Sequence, residues 1–183
     1  MTSSEHVRAS DRCAEAVEAL EEALGVEYDV VVMVQGDEPM THPEMIEEAV
    51  QPIIEDPTVN VVNLMGEITN KDEFYDRNCI KVVCNLRSDA LYFSREPIPT
   101  LSKIESPPIG KQVCIIPFRR NYLTEYTQLE PTPLEIAEAV DMMRILEHGG
   151  KVRMVPTKFR TQAVDTSEDI VLVGRLMSED SFV

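Results

Sequence analysis

The sequence predicts an α/β fold in which helices cover both faces of a mostly parallel sheet that has a small antiparallel excursion. Apolar runs of strand length alternate along the chain with segments of helical spacing, which is typical of such folds. Capping signatures mark several of the helix starts. In VVVMVQGDEPM, residues 30–40, a buried strand runs directly into two acids. Ligands bind at the carboxyl ends of strands in open α/β sheets, so this stretch also predicts a site.

The first half of the chain predicts two helices and four strands. Residues 11–24 have apolar side chains at helical spacing and are followed by Gly25, a natural helix stop. THPE at 41–44 predicts a capping box with Thr41 as the cap, which begins a helix that ends near Glu55. Apolar runs predict strands over 29–34, 59–65, 79–84 and 89–93, and the last two, joined at Arg87 and Ser88, form the antiparallel excursion.

The second half opens with a loop over 96–110, a stretch that holds four prolines and no hydrophobic period. A strand follows at 111–118, then a short helix over RNYLTEYTQL, residues 120–129. TPLE at 132–135 predicts a second capping box and one helix that continues to about His148. A strand over 151–156 and a terminal helix over 165–177, capped by Thr166 or Ser167, complete the pattern.

Composition limits the classes of function. The 183 residues are enough for one domain, predicted over 1–183, and carry a net charge of −16 from 33 acids and 17 bases. An acidic chain of this kind is not expected to bind nucleic acid, since phosphate backbones attract basic surfaces. No apolar run approaches the length of a membrane span, and the N-terminus has no secretory apolar segment, so a cytoplasmic location without membrane binding is expected.

Cysteines and histidines give no sign of a zinc site. The four cysteines form no C-x-x-C pair, and the three histidines lie at no zinc-ligand spacing. Reduced, buried thiols are expected at Cys13, Cys79, Cys84 and Cys114.

Two aspartates are the candidate catalytic and metal-binding residues. Asp37 follows the 29–34 strand, and Asp165 lies between the last strand and the last helix. Two such carboxylates can hold one Mg²⁺ while substrate phosphates complete its coordination, an arrangement that serves phosphoryl or nucleotidyl transfer. Simpler interpretations remain open: Asp165 as a helix cap or first-turn acid, and residues 37–39 as a polar turn.

The motifs, taken in order, resemble one enzyme family. VQGDEP, IKVVCN, ALYFSREPIP, PTPLE and AVDTSEDI, with SSEHVRASDRCAEAV before them, are similar to the CMP-Kdo synthetases, the 3-deoxy-manno-octulosonate cytidylyltransferases. This resemblance spans essentially the whole chain. It implies a Rossmann-like nucleotidyltransferase fold, a homodimer, and transfer of CMP from CTP to an acid sugar with release of pyrophosphate. Mg²⁺ is the implied cofactor.

The resemblance also implies roles for individual residues. Asp37 and Asp165 match the family's metal-binding aspartates, and Gln35 matches a residue near the sugar and the nucleotide. Ser10 and Arg12 fall in the segment that lines the nucleotide pocket. Arg95 matches a basic residue beside the sugar, with a surface ion pair as the simpler interpretation. Lys81 in IKVV alternates with apolar neighbours, which also fits a solvent-facing strand residue.

Two departures from the family pattern lead to further expectations. The family's first βα unit and its triphosphate-binding loop have no counterpart here, so a truncated, non-catalytic homologue that binds a sugar acid or a partner is the alternative function. At the sugar site, Gln112 replaces a His and Ile116 replaces a Tyr of the family motif, and Asp141 and Met142 replace a Glu-Gln pair. Since Ile116 and Met142 cannot donate hydrogen bonds, an acid sugar other than Kdo is possible.

Overall fold

The computed structural model describes residues 1–102 and 109–180 of the chain. Within these residues the helices are α1 Ala9–Leu24, α2 Pro43–Glu55, α3 Lys71–Tyr75, α4 Arg120–Thr127, α5 Pro133–Glu138, α6 Met142–Glu147 and α7 Ser167–Glu179. The strands are β1 Val30–Val34, β2 Val62–Glu67, β3 Lys81–Cys84, β4 Ala90–Ser94, β5 Ile109–Val113, β6 Ile115–Arg119 and β7 Arg153–Pro156.

The sheet is mixed. Strands β4, β3, β5, β2 and β7 are hydrogen-bonded in that order, and β1 pairs with β6. Only Cys114 separates β5 from β6, and β1 and β2 both pair antiparallel with this stretch, while β7 pairs parallel with β2. Strands β1, β2 and β7 therefore share one direction. The predicted α/β class and the antiparallel β3–β4 excursion are confirmed, and the sheet is more antiparallel than the alternation of elements indicated.

Apolar cores lie on both faces of the sheet. Helix α2 buries Met45, Ala49 and Ile53, which share one face because they are spaced by four residues, against strands β2 and β6. Helices α1, α4 and α6 contribute to a second core with the opposite side chains of β1 and β6. Ile115 and Ile116 belong to different cores, as expected for neighbours on a strand.

Two predicted helix features are wrong. Helix α2 begins after His42, not after Thr41, whose hydroxyl instead donates to the Glu38 carbonyl oxygen at 2.8 Å. The predicted single helix from Pro133 to His148 is two helices, α5 and α6, because Ala139 adopts the left-handed conformation with φ 51°. The chain turns at this break so that Val140 and Met142 are both buried.

Other predictions need smaller corrections. The predicted 111–118 strand is interrupted at Cys114, and residues 103–108 of the predicted loop lie outside the described residues. The four thiols are free, and each is half-buried rather than fully buried. No helix in the described part of the chain is long and apolar enough to cross a membrane.

Candidate active site

A cavity of about 360 Å³ lies where β1 ends, between the β5–β6 strand, the α5–α6 break and the segment before α7. The fold brings most of the predicted site residues to this cavity although they are far apart in the sequence. Its lining includes Gln35, Asp37, Arg95, Gln112, Ile116, Asp141 and Asp165. Three of the predicted site residues do not line it: Ser10, Arg12 and Met142.

Asp37 and Asp165 meet at one edge of the cavity. The segment before α7 is joined to the turn after β1 by a hydrogen bond from Val164 N–H to the Asp37 carbonyl oxygen, 3.0 Å. The Oδ1 atom of Asp37 is buried and has no hydrogen-bond partner among residues 1–102 and 109–180. Burial, and next the charge of Asp37, raise the pKa of Asp165. The two carboxylates therefore repel each other, and a cation or a proton would relieve that repulsion.

These two side chains fit a bound Mg²⁺. Among the described residues no three His, Cys, Asp or Glu side chains are grouped for a metal, so water and substrate would have to supply most of the ligands. Mg²⁺ commonly takes one or two carboxylates and completes its octahedron with water and substrate phosphates. The unpartnered Oδ1 of Asp37 and the repulsion between Asp37 and Asp165 are compatible with a cation at this place.

The simpler interpretation of Asp165 as a helix cap or first-turn acid is wrong. Helix α7 begins at Ser167, and its N-cap is Thr166, whose hydroxyl accepts a hydrogen bond from Asp169 N–H at 3.3 Å. Asp169 in turn accepts hydrogen bonds from the main-chain N–H groups of Asp165 and Thr166. Because Thr166 and Asp169 form the capping box, the Asp165 side chain is left for the cavity.

Glu38 is a cavity residue that the sequence analysis did not select, although it lies in the same motif as Asp37. Burial, together with the charges of Asp37 and Asp165, raises the pKa of Glu38 to about 7 despite the hydrogen bond that it accepts from Cys114. Cys114 N–H donates to Glu38 Oε1 at 3.0 Å, and Gln35 N–H donates to the Cys114 carbonyl oxygen at 3.1 Å. Both main-chain groups of Cys114 are therefore bonded to the turn that carries Asp37.

Arg95 lines the cavity at the α5–α6 break and is not the surface ion pair of the simpler interpretation. Its guanidinium donates to three main-chain carbonyl oxygens: Glu138 at 2.7 Å, Arg77 at 3.0 Å and Ala139 at 3.4 Å. Over residues 1–102 and 109–180, no carboxylate lies within salt-bridge distance of it. Arg95 therefore presents an unneutralised charge beside the acids of the cavity.

Lys81 is buried, so its interpretation as a solvent-facing strand residue is wrong. Its Nζ donates to the carbonyl oxygens of Asp76, Cys79 and Arg95, each at 2.6 Å. Burial lowers the pKa of Lys81. Its alternation with apolar neighbours reflects a strand with two buried faces, not a solvent-facing one.

The predicted residues of the N-terminal segment lie behind or outside the cavity. Ser10 is fully buried in α1, and its hydroxyl donates to Asp141 Oδ2 at 3.2 Å. Burial raises the pKa of Asp141. Arg12 points away and donates to Thr2 and Ser3. Arg8, one turn of helix earlier, reaches the cavity wall instead.

The sugar-site positions also separate in the structure. Gln112 lines the cavity, and its Nε2 donates to Asn63 Oδ1 at 2.7 Å. Ile116 lines the cavity while packing in the core, and Met142 is fully buried in that core. Lys111, also missed by the sequence analysis, lines the cavity and pairs with Glu73 at 2.7 Å. The sequence feature that could have identified Lys111 is a cation next to Gln112 on a strand whose other residues are apolar.

The chain is similar to known proteins of one enzyme family. The family model described as cytidylyltransferase matches residues 1–158. Relatives named 3-deoxy-manno-octulosonate cytidylyltransferase include one from Geobacter metallireducens, 36% identical over 97% of this chain and 72% of its own length. Another, from Pelobacter propionicus, is 37% identical over 93% of this chain and 69% of its own length.

Solved structures show the same fold. A CMP:2-keto-3-deoxy-manno-octonic acid synthetase complexed with CTP superposes with a TM-score of 0.85 at 34% identity, over 98% of this chain and 71% of that one. A putative glucose-1-phosphate thymidylyltransferase from Bacillus anthracis, 15% identical with a TM-score of 0.54 over 93% of this chain and 62% of that one, shares the fold alone. The predicted nucleotidyltransferase fold is confirmed, and the chain belongs to the cytidylyltransferase family of enzymes.

Proposed function

We propose that this protein transfers a cytidylyl group from CTP to a 3-deoxy-2-keto acid sugar, Kdo or a related one, with release of pyrophosphate. The observation that carries the proposal is the meeting of Asp37, Asp165 and Arg95 at one cavity. It occurs in a chain 34% identical to a synthetase of this kind that was solved with CTP. Homodimerisation and a cytoplasmic location stay predictions.

The cavity divides the chemistry between its two sides. Asp37 and Asp165 would hold Mg²⁺, which when bound neutralises charge on the transferred phosphate. Gln35 and Asp37, at the end of β1, lie where the nucleotide phosphates would meet that side. The nucleotide roles of Ser10 and Arg12 stay predictions, and Ser10 acts in the structure by holding Asp141.

Arg95 supplies positive charge for the carboxylate of the acid sugar, since no protein carboxylate pairs with it among the described residues. The sugar's anomeric oxygen then bonds to the α-phosphorus as the bond to the leaving pyrophosphate oxygen breaks, and the hydroxyl proton passes to solvent. Asp141 and Gln112 also line the cavity and are polar groups that could bond to the sugar hydroxyls.

Pyrophosphate release tests the proposal. The 183-residue protein is mixed with CTP, Mg²⁺ and a panel of acid sugars that includes Kdo, with Asp37→Asn as the inactive control. Release with one sugar, abolished in the variant and by a chelator, supports cytidylyl transfer and identifies the acceptor. Folded protein that is silent with every sugar, but binds one of them, would support the second candidate, a homologue that binds a sugar acid without turnover.

A further inference from the structure

Glu138 is the last residue of α5, and its side chain accepts hydrogen bonds from β4 and from the residue that follows β4. The Tyr92 hydroxyl donates to Glu138 Oε1 at 3.0 Å, and Ser94 Oγ donates to the same oxygen at 3.2 Å. The main-chain N–H of Arg95 donates to Glu138 Oε2 at 2.8 Å. Both carboxylate oxygens therefore accept hydrogen bonds. These bonds join the end of helix α5 to the end of strand β4, next to Arg95.

Arg95 is also held by main-chain atoms of the same corner. Its Nε donates to the Glu138 carbonyl oxygen at 2.7 Å, and its own carbonyl oxygen accepts from Lys81 Nζ at 2.6 Å. The Glu138 carbonyl is free to accept because helix α5 stops there, at the left-handed Ala139. Side chain, N–H and carbonyl of Arg95 are thus all fixed before any ligand arrives.

We propose that Glu138 is a positioning residue that fixes the guanidinium of Arg95 for the carboxylate of the acid sugar. The inference rests on the proposed function and adds a residue that lies behind the cavity wall rather than in it. The Glu138 carboxylate bonds to the Arg95 main chain and not to its guanidinium, so it orients the side chain without neutralising it. A cation that is rigid and unpaired loses little freedom on binding an anion.

Kinetics of Glu138→Gln test this role. Gln keeps the size of the side chain but removes its charge, so the hydrogen bond to the Arg95 N–H is no longer charge-assisted, and the amide NH2 must face the two β4 hydroxyls, which then accept. We expect KM for the acid sugar to rise about tenfold, the loss of one charge-assisted hydrogen bond, while KM for CTP changes little. The matched control is Glu125→Gln, an exposed glutamate on α4.

A double-mutant cycle tests whether Glu138 acts through Arg95. If it does, Glu138→Gln combined with Arg95→Ala binds the sugar no worse than Arg95→Ala alone. Fully additive losses would overturn the proposal and give Glu138 an independent role.

A readout without turnover separates this inference from the proposed function. The Nε–H of Arg95, assigned by its disappearance in Arg95→Lys, gives a heteronuclear NMR signal in the isotope-labelled protein. We expect slow solvent exchange in the native protein and fast exchange or broadening in Glu138→Gln, with a melting temperature close to the native one. An unchanged signal would overturn the positioning role, whether or not any sugar is turned over. A protein that turns over no sugar but shows the expected change would contradict the proposed function alone.

Discussion

The two sides of the cavity handle charge in opposite ways. The acidic wall, Asp37, Glu38 and Asp165, brings like charges together, leaves Asp37 Oδ1 without a partner, and raises the pKa of both Glu38 and Asp165. The arginine wall, Arg95 with Lys81 and Glu138, has its main-chain and side-chain groups hydrogen-bonded within the protein. One wall is electrostatically incomplete without a ligand, whereas the other is preorganised.

The difference indicates where ligand binding should change the protein. A cation at the acidic wall removes a repulsion, so its binding should stabilise the fold as well as enable chemistry. An anion at the arginine wall meets a group that is already fixed, so its binding should alter affinity more than structure.

The largest effect is expected from Asp37→Asn. Turnover should fall at least about a hundredfold, because metal stabilisation of transition-state charge contributes several kcal/mol. In metal-free buffer the melting temperature should not fall, since the change removes one of the repelling charges at the acidic wall. Pyrophosphate release and thermal melting measure the two quantities. Native-like turnover would show that the acidic wall does not depend on the Asp37 carboxylate for catalysis.

The next effect concerns the support beneath the arginine wall. Arg144 on α6 and Glu135 on α5 form a buried bidentate pair with two hydrogen bonds of 2.6 Å. Arg144→Met should cost about 3–5 kcal/mol of unfolding free energy, because it leaves a buried carboxylate unpaired. Urea denaturation measures the loss.

The exposed pair of Arg77 and Glu96 provides the matched control for that measurement. Arg77→Met should cost less than about 1 kcal/mol, because both partners are largely in water. Similar losses for both variants would show that α5 and α6 do not depend on the buried pair.

A smaller effect is expected from Arg95→Ala. KM for the acid sugar should rise about 10- to 100-fold, the loss of a charge-assisted contact, while KM for CTP stays near its native value. Arg87→Ala, at an exposed turn, is the control. A rise in KM for CTP of the same size would place the nucleotide, not the sugar, at the arginine wall.

The smallest effect is a pH dependence from Asp141, between the two walls. Burial raises its folded pKa above the unfolded value, so the folded state holds the proton more tightly. The free energy of unfolding should therefore fall as pH rises from about 4, the usual Asp pKa, towards the folded pKa. Asp141→Asn should flatten that fall in urea titrations at a series of pH values, whereas Asp29→Asn, exposed before β1, should not. A native slope in the first variant would contradict this assignment.

Sequence patterns selected two of the three residues of the acidic wall, Asp37 and Asp165, but not Glu38. A run of β-branched residues followed by Gln35, Gly36 and Asp37 fixes where a strand ends, and strand ends meet at one edge of the sheet. Asp165 was placed by the same logic, since it lies between a strand and a capping box. Local rules suffice here because each aspartate sits next to the strand or helix that positions it.

The arginine wall was harder to predict, because it is formed by contacts between residues that are far apart in the sequence. No residue near TPLE predicts that the helix stops at Ala139. The left-handed backbone of Ala139 leaves the Glu138 carbonyl oxygen free to accept from Arg95. The break also sends Met142 into the core. Arg12 was selected from a motif alone, and the structure places Arg8, the N-cap residue of α1, at the cavity instead.

The attachment of the Asp37 turn to Cys114 has a consequence for how such enzymes diversify. Because that turn holds both main-chain groups of Cys114, a substitution that shifts it also disturbs the strand that β1 and β2 share. Substitutions in the turn that carries Asp37 are therefore coupled to the whole sheet. The break between α5 and α6 is joined to one strand, β4, through the Glu138 carboxylate, so a substitution at the exposed Ala139 is expected to disturb the sheet less.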